Sequence, residues 1–214
     1  MNINGDILDP GFVGLFGNKK YQHIIADPAW KYSDRRAVRK DGGKTRLGIG
    51  IEHRYDGTIS TDALCKIKVQ ALAAASCHLH LWAVCPLIQD AITVMNKWGF
   101  KYATVEFVWV KMNRGKYRDN MLFSIDDWRD VTAFLPGFYT GSNIELVLLG
   151  TRGRPFRHAD GCKDSQVIFA PNGEHSRKPD DVHKRIDHMY PDGNKLELFA
   201  RRPYHGWDCF GNQL

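Results

Sequence analysis

Residues 24–30 read Ile24-Ile25-Ala26-Asp27-Pro28-Ala29-Trp30, an apolar run that stops abruptly at a carboxylate and a proline. Traced back to Tyr21, the segment Tyr21 to Ala26 is short, apolar and rich in β-formers, which predicts a buried strand. Pro28 ends the ladder because it has no N–H to donate, and it restricts Asp27 to extended conformations. Asp27 is therefore expected at the carboxyl end of a buried strand, the edge at which open α/β sheets bind ligands.

Within four residues this turn offers the Asp27 carboxylate, a free carbonyl on Pro28 and the wide aromatic face of Trp30. Such a set suits a flat base that carries an exocyclic amine. That amine is a poor nucleophile because its lone pair is delocalised into the ring. Two acceptors aimed at its two hydrogens favour a more tetrahedral nitrogen and turn the lone pair outward. The Asp27 charge would also stabilise positive charge developing on nitrogen, and Trp30 could stack on the base. A lone Asp-Pro-x-Trp is also compatible with an ordinary strand-turn over a buried tryptophan, so the rest of the chain must decide.

Working outward, residues 1–20 read as an irregular lead-in with scattered glycines. Residues 31–57 form a long polar stretch carrying Lys31, Arg35, Arg36, Arg39, Lys40, Lys44, Arg46 and Arg54 around Gly42-Gly43. A loop of that length inside a compact domain is functional or disordered. Ser60 is expected to cap a helix running to about Ala75. Strands are expected over Cys77 to Val84, Phe100 to Lys111, Ile144 to Leu149, Gln166 to Ala170 and Lys195 to Ala200. Pro86 should open a helix that Gly99 closes, and Pro179 to Met189 has helical spacing. Residues 112–143 read as a second long irregular stretch. Alternating strands and helices imply a single α/β domain over residues 1–214 with a mostly parallel sheet and flanking helices.

The composition narrows the function classes. A net charge of +6 favours a polyanionic partner such as nucleic acid. The five cysteines form no Cys-x-x-Cys pair, as expected for free thiols in a reducing cytoplasm. No secretory leader and no run long enough to span a membrane is apparent. His78 and His80 share one strand face, but no second pair stands at metal-ligand spacing, so no metal site is expected. No Gly-x-Gly-x-x-Gly loop is present.

Three further segments lie downstream of Asp27-Pro28-Ala29-Trp30. They are His175-Ser176-Arg177-Lys178-Pro179-Asp180, Lys195-Leu196-Glu197-Leu198-Phe199-Ala200-Arg201-Arg202 and Gly211-Asn212-Gln213. Tyr55 to Ser60, Leu81-Trp82, Val108 to Lys111 and Glu145 to Gly150 fall between them in matching order. From about residue 21 to the end, the chain resembles the MT-A70 family of N6-adenine methyltransferases. The resemblance implies a Rossmann-like fold and S-adenosylmethionine as methyl donor. It assigns Asp27, Pro28, Ala29 and Trp30 to the catalytic turn, and Asp27, Lys178, Phe199, Arg201, Asn212 and Gln213 to the donor. It places Trp30, Tyr55, Glu145 and Ser176 near the target base. Lys31, Arg35, Arg36, Arg39, Lys44, Arg46 and Lys111 are the expected contacts of the two long substrate-facing loops to nucleic acid.

Two departures from the family pattern stand out. Ala29 replaces a usual second proline, which is expected to cost the turn some preorganisation. Phe199-Ala200-Arg201 stands where a glycine-rich loop would give an independent donor signal. DNA is the expected substrate in preference to RNA, in a bacterial or phage setting, with the protein a monomer or a homodimer. The alternatives are a catalytically silent nucleic-acid-binding subunit and an N4-cytosine methyltransferase; the latter more often carries Ser where this chain has Asp27.

Overall fold

Tyr21–Ala26 is strand β2, with the bounds expected from the sequence. The computed structural model of the chain describes residues 1–31, 57–115, 131–133, 140–173, 177–212 and 214, and the backbone of 40–41 and 44–45. In chain order the other strands are β1 (Asn2–Asn4), β3 (Lys40–Asp41), β4 (Lys44–Thr45), β5 (Ala73–Ala83), β6 (Lys101–Met112), β7 (Ile144–Arg152), β8 (Val167–Pro171), β9 (Lys195–Leu198) and β10 (Asp208–Gly211). The α-helices are α1 (Thr61–Lys66), α2 (Ile88–Lys97) and α3 (Asp181–Met189).

Eight of the strands form one sheet in the order β1-β10-β9-β2-β5-β7-β6-β8, and β3 pairs with β4 apart from it. Every neighbouring pair in the large sheet is parallel except those of β7, which runs antiparallel to both β5 and β6. This is the mostly parallel, Rossmann-like arrangement expected. Side chains alternate across it. Ile24, Ala26, Leu79, Leu81, Leu196, Leu198 and Phe210 face α1 and α2 through Leu64, Ala91, Val94 and Met95. Ile25, Trp82, Val147 and Cys209 face the other way, onto Val182, Ile186 and Met189 of α3. A sheet buried on both faces explains why its central strands read as continuous apolar runs.

Three segments differ from the sequence reading. The helix capped by the Ser60 side chain, which accepts from the Ala63 N–H at 3.2 Å, ends at Lys66, and Ile67 is already extended. Ala73–Ala75 are good helix formers, but Ala73 pairs with Tyr21 in the sheet, so tertiary pairing overrides propensity. The lead-in is part of the fold. Its strand β1 pairs with β10, and Phe12 and Phe16 lie 5.6 and 5.7 Å from the ring of Phe210. The end of the chain carries a strand, β10, that the sequence reading left out; it reads as too short and too polar at its start to register. All five cysteines are unpaired. Among the described residues no helix is long and apolar enough to cross a membrane.

Two buried polar clusters sit among these layers. His23, His78 and His80 lie on the α3 side of β2 and β5 with exposures of 2%, 2% and 0%. Burial, reinforced by the neighbouring histidines, pushes His23 down to about 2 and His78 down to about 3, so both rings are neutral. At the start of β10, Asp208 is held by the Lys19 ammonium at 2.6 Å, the Tyr21 hydroxyl at 2.6 Å and the Met1 amino group at 2.5 Å. Burial alone would raise the Asp208 carboxyl, but these hydrogen bonds outweigh it and hold it below the usual range.

A carboxyl depressed in the folded state contributes stability that is present above its unfolded pKa of about 3.9 and is lost as pH falls below it. Asp208→Asn is therefore expected to lower unfolding stability at pH 7 by about 1–3 kcal/mol. It should also flatten the loss of stability below about pH 4. Urea titrations of both proteins across that range check it.

Candidate active site

The site is built by strand register. Ala26 of β2 lies beside Leu198 of β9, and Leu198 lies beside Phe210 of β10. The residues that follow these strands, Asp27, Phe199 and Gly211-Asn212, therefore leave the sheet side by side at one carboxyl edge. Two details close that edge. Phe199 adopts a left-handed backbone with φ of 64°, an uncommon conformation for a bulky residue. Ala200 donates its N–H to the Phe210 carbonyl at 2.9 Å, and a Cβ on Gly211 would stand 1.9 Å from the Ala200 carbonyl oxygen. Only glycine allows β10 to approach the Phe199-Ala200 turn so closely.

The turn residues Asp27 to Trp30 are fixed by backbone contacts. Trp30 donates its N–H to the Pro28 carbonyl at 2.8 Å, Ile59 donates to the Ala29 carbonyl at 2.8 Å, and Lys31 donates to the Ile59 carbonyl at 3.0 Å. The Pro28 carbonyl is thus not free, as expected from the sequence, but already accepts one hydrogen bond; a carbonyl has a second lone pair for another donor. The same three bonds hold the turn in which Ala29 takes the place of a second proline. Trp30 is 7% exposed and belongs to the core, with its indole N–H donated to the Trp82 carbonyl at 3.0 Å. Most of its ring is covered by protein rather than offered to a ligand.

Beside the turn lies a chain of charges. Lys178 Nζ stands 3.0 Å from Asp27 Oδ2 and 3.1 Å from Glu145 Oε2, and it sits 5.3 Å over the Trp82 ring. Lys111 Nζ stands 2.6 Å from Glu145 Oε1. Asp27, Glu145 and Lys178 are 21%, 14% and 19% exposed at the side chain, so water screens them little. Burial raises the Asp27 carboxyl; Lys178 opposes that, the Glu145 charge adds to it, and the net shift is upward. Glu145 is also pushed up by burial, but two lysines overcome it and the net shift is downward. The two carboxylates diverge because Glu145 has two ammonium partners. Lys178 is raised above its ordinary range because the two carboxylates outweigh its burial.

Of the other expected site residues, Lys31 is exposed. Arg201 is exposed and close enough to pull the Asp27 carboxyl down. Its neighbour Arg202 is taken up by Asp180. Asn212 is exposed at the end of β10. Lys111 is 8% exposed and turned inward onto Glu145, so its charge faces the site rather than a polyanion on the surface. Tyr55, Arg35, Arg36, Arg39, Arg46, Ser176 and Gln213, and the side chain of Lys44, lie outside the described residues. Trp82, Ile59 and Gly211 lie in segments that carry the family resemblance, but the sequence reading gave them no supporting role, since each acts on a segment distant in the chain.

The register of Asp27, Phe199 and Asn212 is matched by an unbroken family likeness: the MT-A70 family profile covers residues 21–213. The chain belongs to the MT-A70 family. Among MT-A70 relatives it is 31% identical over 203 residues to the type II methyltransferase M.MunI of a Mycoplasma species, covering 92% of this chain and 78% of that protein. It is 26% identical over 198 residues to the human N(6)-adenosine-methyltransferase catalytic subunit METTL3, covering 91% of this chain and 28% of that protein. An Arabidopsis thaliana N(6)-adenosine-methyltransferase MT-A70-like protein is 29% identical over 193 residues, covering 89% of this chain and 23% of that protein. The chain thus spans most of the Mycoplasma relative and about a quarter of the eukaryotic ones.

Gly211→Ala tests the close approach that assembles this edge. The substitution should lower stability by about 1–3 kcal/mol, the range for forcing extra volume into a packed site. A lower denaturation midpoint with an unchanged slope is the expected result.

Proposed function

We propose that this protein is an S-adenosylmethionine-dependent methyltransferase acting on the N6 amine of adenine in nucleic acid, DNA in preference to RNA. The observation that carries the reading is the juxtaposition of Asp27 with Phe199 and Asn212 at one sheet edge. It puts an amine-holding carboxylate beside the strand ends that the family resemblance gives to the donor. The DNA preference rests on the relatives: identity is higher, and runs through most of the partner's length, for the bacterial type II methyltransferase.

The residues present fit the donor. A site open to a cationic sulfonium compound needs a carboxylate within reach, and Asp27 and Glu145 provide two. The Phe199-Ala200 turn and the exposed Asn212 supply backbone and amide groups for a ribose and a base. When bound, S-adenosylmethionine supplies a methyl group activated by its sulfonium charge. Asp27 accepts one hydrogen of the adenine amine, and the second lone pair of the Pro28 carbonyl accepts the other, which turns the nitrogen lone pair toward the methyl. Positioning of this kind supplies most of the acceleration in a direct, in-line transfer. The Asp27 charge stabilises the positive nitrogen that forms, and the proton then leaves to solvent or to Asp27. Lys178 balances Asp27 against Glu145, and Trp30, buried and pinned, acts as the wedge that holds the turn. In duplex DNA the target base must first leave the stack.

Incubation with labelled donor and either DNA or RNA, followed by digestion to nucleosides, tests the assignment. N6-methyldeoxyadenosine from the DNA arm is expected; its absence from both arms rejects the proposal, and N4-methylcytosine would reassign the base. Asp27→Asn keeps the shape of the side chain and leaves Lys178 paired with Glu145. It is expected to lower the transfer rate about 10²–10⁴-fold with the melting curve little changed.

Asp27 must be ionised to accept from the amine, and its pKa is raised. Activity should therefore fall on the acid side at a pH above that of an ordinary aspartate. A pH–rate profile measured under single-turnover conditions reads that limb directly.

A further inference from the structure

We propose that His23, His78 and His80 form a structural binding site for a divalent transition-metal ion, zinc by preference, on the α3 side of strands β2 and β5. One nitrogen from each ring lies within 4.8 Å of the other two, on neighbouring strands β2 and β5. His78 and His80 share one face of β5, and β2 brings His23 into register beside His78. This third histidine lies 55 positions before His78, which is why spacing along the chain does not reveal the set.

The spacing of His23 and His80 suits the ion, and His78 lies within reach of both. Zinc–nitrogen bonds of about 2.0–2.1 Å at tetrahedral angles put neighbouring ligand nitrogens about 3.3–3.4 Å apart. His23 Nδ1 and His80 Nε2 are 3.4 Å apart, long for a hydrogen bond between two rings. The outer shell suits it as well. His80 holds Glu106 through its other nitrogen, with Nδ1 2.6 Å from Glu106 Oε2, the carboxylate–histidine pairing that orients metal-bound imidazoles. Among the described residues His78 Nδ1 has no hydrogen-bond partner, and His78 is 2% exposed. A buried, half-satisfied imidazole in a native fold calls for a further partner such as an ion. Nitrogen donors of this kind favour zinc, cobalt, nickel and copper over magnesium and calcium.

Entry requires one rearrangement. Phe156 donates its N–H to His78 Nε2 at 3.2 Å and packs its ring 5.3 Å from both His23 and His78. Whichever His78 nitrogen ligates, the ring stays neutral and the Phe156 hydrogen bond is given up. Phe156 belongs to a coil segment outside the sheet, so its displacement both frees the ligand and opens the way in. His23 lies four residues before Asp27 on the same strand, about 13 Å away along it. The ion would brace β2 against β5 there and take no part in methyl transfer.

The test uses the intact protein stripped with a chelator and returned to zinc chloride, cobalt chloride or magnesium chloride. Expected are one zinc retained per chain after desalting and a rise in Tm of about 5 °C at a hundredfold excess over the dissociation constant. The cobalt form should show the visible absorption of a four-coordinate, nitrogen-ligated ion. Magnesium should leave Tm unchanged. His78→Gln should abolish zinc retention, which separates this site from capture by the exposed His158, His188 and His205. Zinc retained to the same extent in that variant, an equal shift with magnesium, or no cobalt absorption in the native protein would each overturn the proposal. The cobalt measurement decides it even if the variant fails to fold.

Discussion

The pairing of β9 with both β2 and β10 is the constraint on which the rest of the structure depends. Parallel strands in register end together, and here three strands separated by most of the chain end at one edge. Asp27 comes from the first quarter of the sequence, Phe199 and Asn212 from its last sixteen residues. No flexible linker and no rearrangement is needed to unite them, because the hydrogen-bond ladder does it. The left-handed Phe199 and the side-chain-free Gly211 are the local concessions that let the chain turn there without blocking the edge.

That edge is crowded with charge, and its balance explains its order. Two carboxylates and two lysines alternate as Asp27, Lys178, Glu145 and Lys111, each within ion-pair distance of the next. Removing either inner member, Lys178 or Glu145, would leave a poorly solvated charge without its ion-pair partner, which costs more than the pair itself contributes. Lys178 arrives from the segment before α3, while Lys111 of β6 reaches diagonally to Glu145 of β7, whose register partner is Trp109. The network therefore ties the antiparallel half of the sheet to the parallel half, at Asp27.

Much of this was legible in the sequence, for identifiable reasons. β2 ends where Pro28 cannot donate, α2 ends at a glycine with positive φ, and Lys178 stands just before a helix. These are local rules acting on neighbouring residues. Non-local pairing is where the reading failed. Ala73–Ala75 have every propensity for a helix, yet they begin β5, with Ala73 paired to Tyr21 of β2. Gly5, Gly11 and Gly14 suggest a loose lead-in, yet Phe12 and Phe16 pack onto Phe210 from the far end of the chain. Lys111 looks like a nucleic-acid contact by charge and lies inward because Glu145 is opposite.

The sequence by itself determined the α/β class, the strand end at Asp27-Pro28, the family and the identity of the charged groups around that turn. Those depend on residue chemistry and on contacts a few positions apart. Only the tertiary structure decided which groups meet. It occupied one lone pair of Pro28, buried Trp30, balanced Lys178 between two carboxylates, and set His23 beside His78 and His80. Each is a contact between segments remote in the chain, and its partner is chosen by sheet register and burial, which no short stretch of sequence encodes.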